Sequence, residues 1–200
     1  MKSHSQNSPL FIEIWYCRSS DTTKAHETTI KNLLSVSEKQ RLEATSNKNK
    51  KREFLTSRSL MRHALTQRFG ILESEWKFVD TPDSPPTVVN LPKSIYVSLS
   101  HSNGLICFAI ASSPFGLDLE YLATERDFEA LSSLIMGDEE LNVMNPRKGG
   151  QANYFYRIWC AKEAFYKAIS RKKQLETTLK DISFPSLINC EAPWFLYEGT

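Results

Sequence analysis

The chain has 200 residues, 40% hydrophobic and 24% charged, enough to bury one core or two small ones. Its 25 basic and 23 acidic side chains leave a net charge of +2, too little to argue by itself for a nucleic-acid partner. No apolar run is long enough to span a bilayer, the polar stretch Met1–Pro9 lacks a leader's apolar region, and the four cysteines (Cys17, Cys107, Cys160, Cys190) form no C-x-x-C pair. The expectation is a cytoplasmic protein with reduced thiols, no zinc centre and no membrane partner.

In chain order, the apolar, β-branched and aromatic stretch Leu10–Tyr16 predicts a strand. A helix is expected to start at Ser37 as N-cap, followed by Glu38 and Lys39. Lys51–Phe69 predicts a long helix, with Phe54, Leu55, Leu60, Met61, Ala64, Leu65 and Phe69 at helical spacing and Gly70 closing it. Trp76–Val79 predicts a short strand, and four prolines between Thr81 and Pro92 predict a loop. Ser94–Leu99 and Leu105–Ser112 predict two strands, with S-H-S-N-G between them as the turn. Leu117–Leu122 predicts another strand, Phe128–Ile135 and Asp138–Val143 short helices, Asn145–Gly150 a loop and Gln151–Lys173 a long helix. Ile182–Phe184 and Trp194–Tyr197 are the last strand candidates. The class is α+β, in two halves (1–112 and 113–200) meeting near Ser112 and Pro114.

Two segments carry the chemistry. In F-G-L-D-L-E (Phe115–Glu120), Asp118 and Glu120 stand two apart, and on a strand they share a face. In W-C-A-K-E-A-F-Y-K (Trp159–Lys167), Glu163 lies one helical turn from Trp159 and one from Lys167. Three carboxylates are the hard oxygen donors that Mg²⁺ takes beside water and phosphate, Mn²⁺ accepts the same set, and a lysine there meets phosphate. Ser100, His101 and Ser102, with the turn amides that follow, make a candidate anion-binding corner. An ordinary hairpin turn is the competing reading. A cationic stretch from Lys39 to Arg68 completes the picture, read either as a solvated face or as a wall for a polyanion. It lacks the interleaved aromatics of a single-strand platform, so no nucleic acid is expected.

Taken in order, R-E-F-L-T-S-R-S-L-M-R, S-L-S-H-S, F-G-L-D-L-E and W-C-A-K-E-A-F-Y-K-A resemble the 4′-phosphopantetheinyl transferases of the Sfp type. That family carries an arginine-rich helix, an N-x-S-H-S turn, a G-I-D-I-E strand and a W-x-x-K-E-A-x-x-K helix. The resemblance implies a pseudo-dimeric fold of two similar α/β subdomains with the active site in the cleft between them. It implies transfer of the phosphopantetheine arm of coenzyme A to a serine of an apo acyl- or peptidyl-carrier protein, releasing adenosine 3′,5′-bisphosphate. By motif, Asp118, Glu120 and Glu163 would hold Mg²⁺, and Glu163 would also be the base for the incoming serine. Lys167, with Lys162, would face the pyrophosphate. Ser100, His101 and Ser102 would bind coenzyme A phosphates, and Arg52, ahead of Lys39 and Arg41, would meet the 3′-phosphate.

The sequence departs from the pattern at Ser84-Pro85-Pro86, where the family has G-K-P, at Ser98, where asparagine is usual, and at Ser170–Lys173, where glycines are usual. Two other readings compete with the active transferase. One is a catalytically weakened coenzyme A or carrier-protein binder, the other a Mg²⁺-dependent nuclease or phosphodiesterase. A monomer is the default for a two-half chain.

Overall fold

The computed structural model describes residues 10–82, 84–144 and 150–183. They fall into two compact units, one ending at Pro114 and one starting at Phe115. Ser112 still belongs to the first: its Oγ accepts the Phe11 N–H at 3.0 Å and its own N–H donates to the Phe11 carbonyl.

All strands among the described residues lie in the first unit, so that the chain mixes sheet and helix as an α+β protein. Strand β1 (Ile12–Arg18) pairs with β5 (Leu105–Ala111), which pairs on its other side with β4 (Tyr96–Ser102), all antiparallel. A separate two-stranded ribbon joins β2 (Phe78–Val79) to β3 (Thr87–Val88), a short pairing inside the proline-rich stretch expected to be loop. The central strand β5 is apolar throughout. Its Ile106, Phe108 and Ile110 bury against Leu60, Met61, Ala64 and Leu65 of helix α3 (Lys48–Phe69). Gly70 ends that helix with φ 71°, a left-handed conformation that favours glycine.

Helices α1 (Lys24–Leu33) and α2 (Val36–Ala44) precede α3. The cap of α2 is Ser35 and not Ser37. S-x-x-E from Ser35 to Glu38 closes a reciprocal capping box, with Glu38 N–H donating to Ser35 Oγ and Ser35 N–H to Glu38 Oε2. Ser37 is spent elsewhere, its Oγ accepting the Asp80 N–H.

A second correction concerns S-H-S. Ser100 and His101 lie in β4 and Ser102 ends it, while the turn is Asn103-Gly104 alone, with φ 49° and 79°. Asn-Gly is the pair that a two-residue hairpin with two positive φ angles demands.

The second unit contains α4 (Phe128–Ile135), α5 (Asp138–Met144), α6 (Gln151–Ala168), α7 (Arg171–Glu176) and a 3₁₀ turn at Leu179–Asp181. Phe128, Ile135, Met136, Met144, Phe155, Tyr156 and Ile158 form its core. The expected helix to Lys173 is two helices. Ser170 caps the second by accepting the Lys173 N–H, and its extended backbone breaks the first. Over the expected strand Leu117–Leu122 no strand is assigned among the described residues. Trp194–Tyr197, Phe184, Cys190 and residues 145–149 lie outside the described residues.

Candidate active site

The charged face of α6 is built from both expected segments. Trp159, Glu163 and Lys167 recur every fourth residue and form one stripe. The stretch from Gly116 to Ala123 runs antiparallel along it. A Cβ on Gly116 would stand 1.7 Å from the Ala164 carbonyl oxygen, so only glycine permits this approach. Asp118 Oδ1 accepts from Lys167 Nζ at 2.6 Å, and Glu120 Oε1 accepts the Trp159 Nε1–H at 3.2 Å. At the far end, the Tyr156 hydroxyl donates to the Ala123 carbonyl and accepts the Ala123 N–H, both at 3.2 Å. Asp118 therefore meets α6 one turn after Glu163, and Glu120 meets it one turn before.

Electrostatics tie the three carboxylates together. Burial, then the charge on Asp118, holds the Glu163 carboxyl above the usual carboxylate range; Glu120 adds to this and Lys167 opposes it. The Cys160 thiol is pushed far above its ordinary value by burial, by the Asp118 charge and by its hydrogen bond to that carboxylate. It is held as a thiol, a poor nucleophile. Among the described residues no three His, Cys, Asp or Glu side chains stand close enough to hold a metal ion. Lys167 neutralises Asp118 instead, with 31% of its side chain exposed against 4% for its partner.

Lys162 does not join this face. It is fully buried, and its ammonium donates to the carbonyls of Ile135 (2.7 Å) and Leu179 (3.0 Å) and to Glu140 Oε2. With three acceptors around three protons it ties α6 to the end of α4, to α5 and to the 3₁₀ turn, and has no donor left for a pyrophosphate. The expectation for Lys162 is corrected on that ground.

The first unit holds the remaining candidates. Successive side chains of a strand alternate, so His101 faces opposite to Ser100 and Ser102. His101 pairs in register with Ile106 on the α3 side, whereas Ser100 is buried opposite Cys107. The anticipated single anion corner is thus divided between two faces of the sheet. Arg52 is half-exposed and lies 3.6 Å from Glu27.

Two arginines of the cationic stretch face inward, while Lys39, Lys48 and Lys50 stay exposed. Arg58 and Arg62 are buried and share Glu38, which meets Arg62 at 3.1 and 2.7 Å and the Arg58 Nε at 3.3 Å. Asp80 takes Arg58 and Arg41. Burial pushes the Arg58 guanidinium below its ordinary value, and Asp80 is the first charge to oppose that shift.

Sequence reasoning passed over Gly116, Trp159 as the donor to Glu120, and Cys160. Ala164 and Ala168, small residues one turn apart facing a glycine, were the available signal for a close approach.

Known proteins resemble the chain over this region and beyond. Residues 114–192 match the family model of the 4′-phosphopantetheinyl transferase superfamily. A putative 4′-phosphopantetheinyl transferase of Synechocystis is 27% identical over 163 residues, 80% of this chain and 65% of that protein. The 4′-phosphopantetheinyl transferase HetI of Nostoc is 26% identical over 156 residues, covering 74% and 65%. The 4′-phosphopantetheinyl transferase Sfp of Bacillus subtilis is 26% identical over 108 residues, covering 54% and 47%. The matches thus extend over 47–65% of the length of these relatives.

Proposed function

This chain is a relative of the 4′-phosphopantetheinyl transferases, and from that premise we propose that it moves the phosphopantetheine of coenzyme A onto a serine of an apo acyl- or peptidyl-carrier protein. The serine oxygen forms a bond to the phosphorus next to pantetheine, the bond from that phosphorus to the bridging oxygen breaks, and adenosine 3′,5′-bisphosphate leaves. The serine proton passes to Glu163, directly or through water. The observation that carries the reading is the α6 face, where Asp118 and Glu120 flank Glu163 and Lys167 inside the family-matched region.

The donor set fits a hard divalent cation such as Mg²⁺ or Mn²⁺. Its members are all carboxylates brought to the α6 face, and burial, then the charge on Asp118, raises the Glu163 carboxyl. Asp118, Glu120 and Glu163 would hold the ion once Asp118 leaves Lys167. When bound, it supplies charge neutralisation to the pyrophosphate. The chain's own groups do the rest. Trp159 orients Glu120 through its indole N–H, and Lys167, released from Asp118, stabilises charge on the leaving oxygen. His101 and Arg52 are assigned to coenzyme A phosphates. The pseudo-dimeric fold, with coenzyme A between its halves, and a cytoplasmic monomer belong to the same proposal.

The test is intact mass spectrometry of several apo carrier proteins after incubation with the protein, coenzyme A and Mg²⁺. A phosphopantetheine adduct, absent when coenzyme A is replaced by its 3′,5′-bisphosphate product, is expected. Coenzyme A binding with no adduct on any carrier would leave the non-catalytic binder instead.

A further inference from the structure

Glu53, in the second turn of α3, reaches the tip of the β4–β5 hairpin. Its Oε1 accepts the Gly104 N–H at 2.8 Å, and its Oε2 lies 3.7 Å from Nδ1 of His101. The tip is held from the other side as well. Ser19 N–H donates to the Gly104 carbonyl at 2.7 Å, and a Cβ on Gly104 would meet Ser19 Oγ at 3.0 Å. The turn is therefore clamped between α3 and the segment after β1.

A carboxylate is a strange choice for that clamp beside an anion site. Its charge repels a phosphate at His101, and a glutamine carbonyl would accept the Gly104 N–H equally well. What glutamine lacks is a second oxygen to turn toward the imidazole, because its remaining group is a donor. The charge is explained by His101. A carboxylate facing Nδ1 fixes the ring's orientation and tautomer, leaving Nε2 as its other polar atom. The His101 side chain is 54% exposed and that of Glu53 only 19%, so the ring is the accessible member of the pair.

We propose that Glu53 is a positioning residue that holds the His101 imidazole, through Nδ1, to present Nε2 to a phosphate of coenzyme A. The assignment of the phosphate rests on the function proposed above.

A double-mutant cycle tests this in the full chain, with coenzyme A affinity measured by calorimetry at fixed pH and salt. Glu53→Gln keeps an acceptor for Gly104 and turns an amide donor toward Nδ1. It should weaken coenzyme A about tenfold when His101 is present and less than twofold in His101→Ala, a coupling of the size contacting groups show. Equal losses in both backgrounds would mean that Glu53 only supports the turn, and tighter binding in Glu53→Gln would mean that it only repels the ligand; either overturns the proposal. Nitrogen-15 NMR of the ligand-free imidazole gives an independent readout. A protonated Nδ1 should be seen in the natural sequence and shift to Nε2 in Glu53→Gln; an unchanged ring overturns the positioning role. If the unaltered protein binds no coenzyme A, the coenzyme A reading fails, and the ring signature alone decides whether Glu53 orients His101.

Discussion

The two units handle charge in opposite ways. In the first, Arg58 and Arg62 are buried with Glu38 and Asp80, and the part-exposed Arg41 also reaches Asp80, so each carboxylate meets two guanidinium groups. In the second, Asp118, Glu120 and Glu163 gather along α6 with Lys167. The first group is dry apart from Arg41 and joins α2, α3 and the residue after β2. The second keeps its lysine partly in solvent and its glutamate shifted upward. Charge enclosed by its partners serves folding, and charge kept at the solvent edge is open to a ligand. Lys162 and Lys167 repeat the contrast five residues apart on one helix, the first enclosed by three acceptors, the second paired at the rim.

Breaking the buried group of the first unit should have the largest effect. Glu38→Ala leaves Arg62 and Arg58 with one carboxylate between them and should cost about 3–5 kcal/mol of stability, measured by denaturant unfolding. It should leave the proposed transfer by the still-folded fraction largely intact, since the partners of Glu38 are Ser35, Arg58 and Arg62. Glu163→Gln should do the reverse. A loss of roughly 10²–10³ in turnover is expected, the scale of one preorganised electrostatic group, with little change in melting temperature. A normal rate in that variant would remove Glu163 from the mechanism.

Lys167→Met sharpens the comparison from the other side. Removing the ammonium that donates to Asp118 should tighten Mn²⁺ binding about fivefold, the factor that about 1 kcal/mol of screened attraction represents, while turnover falls. Calorimetric titration with Mn²⁺ reads the first half of that outcome without any catalysis. The smallest effect concerns the thiols. Burial pushes Cys107 up to about 11 and Cys160 higher still, so at pH 8 both should resist alkylation in the folded protein and label only in denaturant, as peptide mass mapping would show.

Long-range burial explains where sequence reasoning stopped. The periodicity of α3, its closing Gly70 and the β4–β5 pair were legible because each rests on local pattern. So was the convergence of Asp118 and Glu120 on the Glu163 face, although through packing on α6 and not through a described strand. Arg58 and Arg62 misled because their partners, Asp80 and Glu38, lie 22 and 24 residues away in sequence. Lys162 misled for the same reason: nothing adjacent to it announces the carbonyls of Ile135 and Leu179. S-H-S-N-G reads as one turn between two apolar stretches, yet Asn103-Gly104 alone satisfies the two positive φ angles and returns the serines to the strand.

Gly116 and Tyr156 give the carboxylate segment two fixed anchorages, at Ala164 and at Ala123, with seven steps of chain between its ends. That makes the segment a measured span in which position is counted in whole residues. Adding one residue between Gly116 and Asp118 would displace both acids by one position along that span, without altering a single charge. The site is therefore more sensitive to the length of this span than to its composition, and a one-residue insertion should silence it where Leu117→Ile or Leu119→Val would not.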